Sequence, residues 1–149
     1  MKTRINIQRA TALPDIPTDR TIKNWAKAAL DKREQDTELT IRIVDMDEGT
    51  QLNRRWRKAT GPTNVLSFPA EGVEDYAPGL LGDIVICAPV VNNEARQQNK
   101  AIDAHWAHMV IHGILHLSGY DHENPEDAEK MESFEITILE SLGYKNPYI

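Results

Sequence analysis

The stretch from His112 to His122, HGILHLSGYDH, places three imidazoles in the order H-x3-H-x2-G-x2-H. Residues four apart on a helix differ by about 40° around its axis and one turn along it, so His112 and His116 can reach one ion from a single face. His122 needs a change of chain direction, because a continued helix would carry it roughly 240° around and about 9 Å further on. Gly119 permits that change, since glycine takes the left-handed conformation that ends helices. Neutral imidazoles bind zinc well, and three of them leave a fourth position open, as catalytic sites do. Other divalent transition metals accept the same nitrogens, so zinc is the expectation from availability and nickel, cobalt and copper stay open. Asp103, Asp121 or a backbone carbonyl would be natural acceptors for the ring N–H groups that face away from an ion.

The same spacing serves zinc peptidases of the metzincin type, in which the first histidine is followed directly by a glutamate base. Gly113 stands there in this chain and cannot take a proton from water. A metalloprotease-like hydrolase therefore remains as an alternative that lacks its usual base. Met131 does not supply the matching Met-turn, because it lies in EDAEKMESFEITILESLG, where Ala128, Met131, Phe134, Ile138 and Leu142 form a helical apolar stripe. His105 and His108 read as hydrogen-bonded helix residues rather than ligands. His108 stands four residues before His112, but that pair has no evident third ligand.

The elements that must carry these residues are legible in outline. Residues 4 to 8, RINIQ, alternate like a strand, and a helix capped around Asp19 or Thr21 would bury Ile22, Trp25, Ala26 and Leu30. ELTIRIV, Glu38 to Val44, is a second strand, followed by a short helix from Asp45 or Asp47 that carries Leu52 and Trp56. Trp56, at helical spacing from Leu52, reads as a core residue, with stacking on a base as the second possibility. TNVLSFP forms a third strand closed by Pro69, and AEGVEDYAPGL is a surface loop. LLGDIVIC is almost wholly apolar and so belongs in the middle of a sheet, where Cys87 would be buried and inert. Helices then run from Pro89 to about Asn99, from about Asp103 to Leu117, and from Pro125 to about Leu142. The expected fold is α+β, a single compact domain over residues 1–149 with a four-stranded mixed sheet covered by about five helices.

A chain of 149 residues with 40% hydrophobic and 27% charged residues is long enough for one ordinary core. Its one cysteine excludes an intrachain disulfide and suits a reducing compartment; with no apolar leader or membrane-length run, a cytoplasmic protein is expected. The net charge of −6 argues against nonspecific binding of nucleic acid by the whole surface. Distribution qualifies this, because four cations fall within RRWRK, Arg54 to Lys58. They could complement a helix dipole or contact phosphates.

Together PTNVLSFP (Pro62 to Pro69), LLGDIVIC (Leu80 to Cys87), HWAHMVIHGILHLSGYDH (His105 to His122) and the ending LGYKNPYI resemble the YbeY family of bacterial endoribonucleases, in the expected order and over nearly the whole chain. That resemblance implies a zinc-dependent, single-strand-specific endoribonuclease acting in 16S rRNA 3′-end maturation and ribosome quality control. It implies metal ligands at His112, His116 and His122, and an arginine important for activity at Arg57. The partners it implies are rRNA precursor and the small ribosomal subunit, with neither DNA nor a membrane involved. Arg54, Arg55 and Lys58 would then touch the RNA backbone while Arg57 holds the scissile phosphate through its planar fork. The attacking group, a water or the RNA's own 2′-hydroxyl, stays open. A ribosome assembly factor with a structural metal is the remaining alternative.

Overall fold

Runs of β-branched residues set up a four-stranded sheet in the computed structural model of the chain, which describes every residue except 1, 32, 34, 59, 60 and 122. Strand β1 (Thr3–Ala10) pairs in parallel with β2 (Thr37–Val44), and β2 pairs in parallel with β4 (Leu80–Cys87). Strand β3 (Val65–Pro69) runs antiparallel along the outer side of β4, giving the order β1-β2-β4-β3. The apolar LLGDIVIC segment thus lies inside the sheet, as its composition demands. Helices α1 (Asp19–Ala29), α2 (Met46–Arg57), α3 (Ala88–Gln97), α4 (Ile102–Leu117) and α5 (Pro125–Ser141) surround it. The architecture is the mixed, helix-covered α+β domain expected from the sequence.

Alternation along the strands divides the apolar residues between two faces. Leu39, Ile41, Ile43, Ile84 and Ile86 point to one side, where α1 and α4 cover them with Ile22, Trp25, Trp106, Ile111 and Ile114. Val44, Leu66, Val85 and Cys87 point to the other side and form a smaller core with Leu52 of α2. Each fully buried Ile or Leu contributes about 1.5–3 kcal/mol, against about 0–1 kcal/mol for exposed ion pairs such as Arg42–Glu48. Burial on the larger face therefore decides where α4 sits. That helix is apolar nearly all round, and it packs on α1, α3, α5, β3 and β4.

Two expectations about α1 and α2 need correction. The cap of α1 is Thr18, whose hydroxyl accepts from the Thr21 N–H at 3.2 Å, rather than Asp19 or Thr21. Trp56 is not a core residue: it is 59% exposed, whereas Leu52 one turn earlier packs into the smaller core. In the last turn of α2, Trp56 meets the ring of Phe68 on the edge strand β3 in a T-shaped contact and is otherwise open to solvent. Met131 and Cys87 are buried as expected, and burial pushes the Cys87 thiol upward. No helix among the described residues is long and apolar enough to cross a membrane.

Candidate active site

His112 and His116 occupy successive turns of α4, with ring centroids 4.7 Å apart and ring planes at 79°. Both are half-buried, at the border between the core and an open pocket. The helix ends where the sequence indicated. Gly119 has φ +101°, its N–H bonds to the His116 carbonyl at 3.1 Å, and the Tyr120 N–H bonds to the Leu115 carbonyl at 3.0 Å. This paired closure satisfies the last carbonyls of α4 and turns the chain back after the second histidine. His122 lies outside the described residues.

Behind His112 stands a residue that the sequence reading did not single out. Glu135 of α5 is completely buried, and its Oε2 accepts from His112 Nδ1 at 2.7 Å. Its Oε1 accepts from His108 Nε2 at 3.1 Å and from the Tyr148 hydroxyl. Burial by itself would raise the Glu135 carboxyl, but the donors from His108 and His112, the attraction of His108 and the Tyr148 hydroxyl outweigh it. The carboxyl is held down to about 2. An acceptor-only carboxylate fixes the ring opposite it: His112 must carry its proton on Nδ1, so the neutral ring keeps its lone pair on Nε2. Burial pushes the Tyr148 phenol upward and the charge of Glu135 pushes it further, so it remains a donor. A signal for Glu135 existed in the sequence. The buried residues of α5 are Met131, Glu135 and Leu139, each four apart, so an acid sits on the inward stripe of the helix.

Among the described residues, His108, His112 and Glu135 bring one ligand atom each within 4.8 Å of one another, a grouping that could hold a metal ion. The hydrogen bonds within it give the group a second role, as the support that orients His112 from behind. His105 is fixed in a parallel way, with its Nε2 2.9 Å from Glu94 Oε1. Glu94 in turn accepts from Asn64 Nδ2 at 3.1 Å, and Asn64 Oδ1 accepts from the Val65 N–H at 2.7 Å. Burial raises the Glu94 carboxyl, and the bonds from His105 and Asn64 more than reverse that. Both buried histidines are thus hydrogen-bonded residues of α4, and the Asn64 amide is held at both ends.

Asn64, Ser67, His112 and His116 line a pocket of about 450 Å³, together with Asn53 and Arg57 from α2. Lys58 ends α2 in a left-handed conformation (φ 53°), and the buried Asn53 donates to the Gly61 carbonyl at 2.8 Å, tying the segment after the helix to its side. This turn puts the α2 terminus at the pocket mouth. Of the cationic cluster, Arg57 lines the pocket, while Arg54, Arg55 and Lys58 are exposed and do not line it. Sequence order alone had given no reason for RRWRK and the histidines to meet.

Gly113 packs on the sheet beside this pocket. A Cβ built there would lie 3.0 Å from Ile84 Cγ2 and 3.3 Å from Val65 Cγ2, so α4 rests directly on β3 and β4 at this point. The Ser67 hydroxyl completes the contact by donating to the Gly113 carbonyl at 3.1 Å. The position after His112 thus carries a packing contact and no base.

This arrangement, a helix bearing paired histidines that share a pocket with one arginine on an α+β sheet, suits hydrolysis of a phosphate ester, and comparison with known proteins narrows it. The family described as endoribonuclease YbeY matches residues 5–143. The chain is 53% identical over 145 residues to the protein named endoribonuclease YbeY of Pseudomonas savastanoi pv. phaseolicola, covering 97% of this chain and 86% of that one. It is 54% identical over the same length to the protein of that name from Pseudomonas syringae pv. tomato, covering 97% and 87%. The solution structure of TM1509 from Thermotoga maritima superimposes with a TM-score of 0.60 at 28% identity, over 93% of this chain and 91% of that one. The chain belongs to the endoribonuclease YbeY family, a class of nuclease hydrolases.

Proposed function

We propose that the chain is a zinc-dependent, single-strand-specific endoribonuclease that acts in 16S rRNA 3′-end maturation and ribosome quality control, with rRNA precursor and the small ribosomal subunit as partners. His112, His116 and His122 hold the ion, Arg57 contacts the scissile phosphate, and Arg54, Arg55 and Lys58 contact the flanking backbone. The single domain of residues 1–149 carries the whole activity. The observation that supports this reading is that Arg57 of α2 and His112 and His116 of α4, 55 and 59 positions later, line one pocket.

The donor set suits the ion. Glu135 holds the Nδ1 proton of His112 and so presents a neutral Nε2, the form of imidazole that binds zinc. When bound, zinc supplies concentrated positive charge for the negative charge that develops as a phosphodiester is cleaved. Arg57 adds a planar fork of donors that matches two phosphate oxygens. Asn64, held at both ends, and Asn53 shape the polar wall opposite the histidines. A peptidase reading finds no base at the position after His112, which is Gly113, packed close to Ile84 and Val65.

The test is cleavage of single-stranded RNA carrying the small-subunit precursor 3′ end, against a duplex of the same sequence, before and after removal of metal with a chelator. Cleavage of the single strand alone, lost on chelation and restored by zinc, is the expected result. Unchanged cleavage after chelation would overturn the metal requirement. Metal binding without any cleavage would put the assembly-factor reading in its place.

Glu135→Gln should lower zinc affinity about 10- to 100-fold, the usual effect of removing a carboxylate behind a ligating histidine. The glutamine oxygen will turn to the side of His108 and Tyr148, where two donors wait. Its NH2 group then faces His112 and forces that ring's proton onto Nε2, the wrong nitrogen for the metal. Competition with a zinc chelator reads the change, and an unchanged affinity would remove Glu135 from the centre.

A further inference from the structure

Trp56 differs from the other two tryptophans of the chain. Trp25 and Trp106 are 3% and 0% exposed, while Trp56 is 59% exposed in the last turn of α2. It is nonetheless placed. It makes a T-shaped contact with Phe68, with ring centroids 6.1 Å apart at 74°, and the Arg55 guanidinium carbon lies 5.3 Å over its centroid. Phe68 sits on β3 between Ser67 and Pro69, both of which line the pocket, and Arg57 is the next residue along the chain. A large exposed indole costs solubility and, at this edge of the sheet, adds little to the core.

We infer that Trp56 is a stacking platform for one nucleobase of a single-stranded RNA, adjacent to the phosphate that Arg57 holds. This rests on the nuclease reading given above and adds to it the residue that selects unpaired nucleotides. Charge complementarity argues for a nucleotide as the occupant. The indole is flanked in sequence by Arg54, Arg55, Arg57 and Lys58, all exposed, with Arg55 against its ring, a cationic setting that suits the phosphates of a nucleic acid and suits an apolar protein surface poorly. With Arg55 over one face and Phe68 in perpendicular contact, the exposed part of the indole receives the base. A base inside a duplex already has neighbours on both faces and cannot reach the platform, so discrimination between single and double strands follows from stacking without any reading of sequence.

The experiment measures binding of a fluorescently labelled single-stranded RNA oligomer to the full chain by anisotropy, for the wild type, Trp56→Ala, Trp56→Phe and Arg57→Ala. The same oligomer with one abasic nucleotide is titrated in parallel. Trp56→Ala should bind about 5- to 150-fold more weakly, the range that one base–aromatic stack is worth. Trp56→Phe should retain most of the affinity, and the abasic oligomer should bind the wild type more weakly while losing little further on Trp56→Ala. Tryptophan fluorescence gives an independent reading, since Trp56 is the exposed indole and should be quenched by the RNA. Equal affinity of wild type and Trp56→Ala, with affinity lost in Arg57→Ala, overturns the platform and leaves the nuclease reading standing; the exposed indole would then serve a protein surface. Absence of RNA binding by the wild type overturns both. If Trp56→Ala folds poorly, the abasic arm on the wild type decides.

Discussion

Arg57→Ala lowers RNA cleavage on the order of a hundred- to a thousand-fold while leaving bound metal unchanged; this is the result expected from the pocket, and the magnitude is that of deleting one donor to developing charge. Arg57 is exposed at the end of α2, a different helix from the one that bears His112 and His116. Its removal should therefore alter unfolding stability by no more than about 0.5 kcal/mol, as surface substitutions do. His116→Ala provides the contrast, since it should lose metal and cleavage together. Arg57→Lys keeps the charge but not the two-pronged donor and should fall between wild type and alanine. Single-turnover cleavage with metal analysis of each variant reads all of this. Loss of metal from Arg57→Ala would mean that the arginine supports the ion rather than the phosphate.

Gly113→Glu, the substitution that would write a peptidase base into the sequence, should instead prevent folding. The added Cβ alone meets Ile84 Cγ2 at 3.0 Å, Ile84 Cδ1 at 3.2 Å and Val65 Cγ2 at 3.3 Å. These atoms belong to strands β4 and β3, paired through the sheet, and α4 cannot withdraw from them without uncovering Ile84 and Ile86. Gly113→Ala already forces an overpacked contact and should cost about 1–3 kcal/mol. A glutamate brings a longer, charged side chain to the same crowded contact and should cost more than alanine. Soluble yield and urea unfolding compare the two variants. A Gly113→Glu protein with wild-type stability would show that α4 does not rest on the sheet as described.

Much of the scaffold could be read from periodicity, because burial imposes it. Ile84 and Ile86, or Met131 at its place in α5, announce their environment through spacing alone, and Gly119 announces a turn through its own conformational range. Trp56 misled because spacing identifies a face of a helix but not where the neighbouring sheet ends, and Leu52 is covered while Trp56 overhangs the edge. The meeting of Arg57 with His112 and His116 depends on how α2 and α4 pack on a common sheet, which no local pattern encodes; for the sequence, family resemblance alone suggested it. Glu135 escaped for a simpler reason. A helix as acid-rich as EDAEKMESFEITILESLG hides one inward carboxylate among several outward ones, unless each acid is checked for its place on the apolar stripe.

The seat of Gly113 against Ile84 and Val65 also bears on what this scaffold can become. Peptidases with the same histidine spacing place their base one residue, about 100° around the helix, from the first ligand. Here that direction is occupied by two strands. A lineage carrying this packing cannot acquire the base through one codon, because smaller residues at 65 and 84 would have to come first, each weakening the core before any new activity repays it. Descent is thereby biased: the pocket wall can vary residue by residue, whereas the face of α4 that rests on the sheet can change only together with its neighbours.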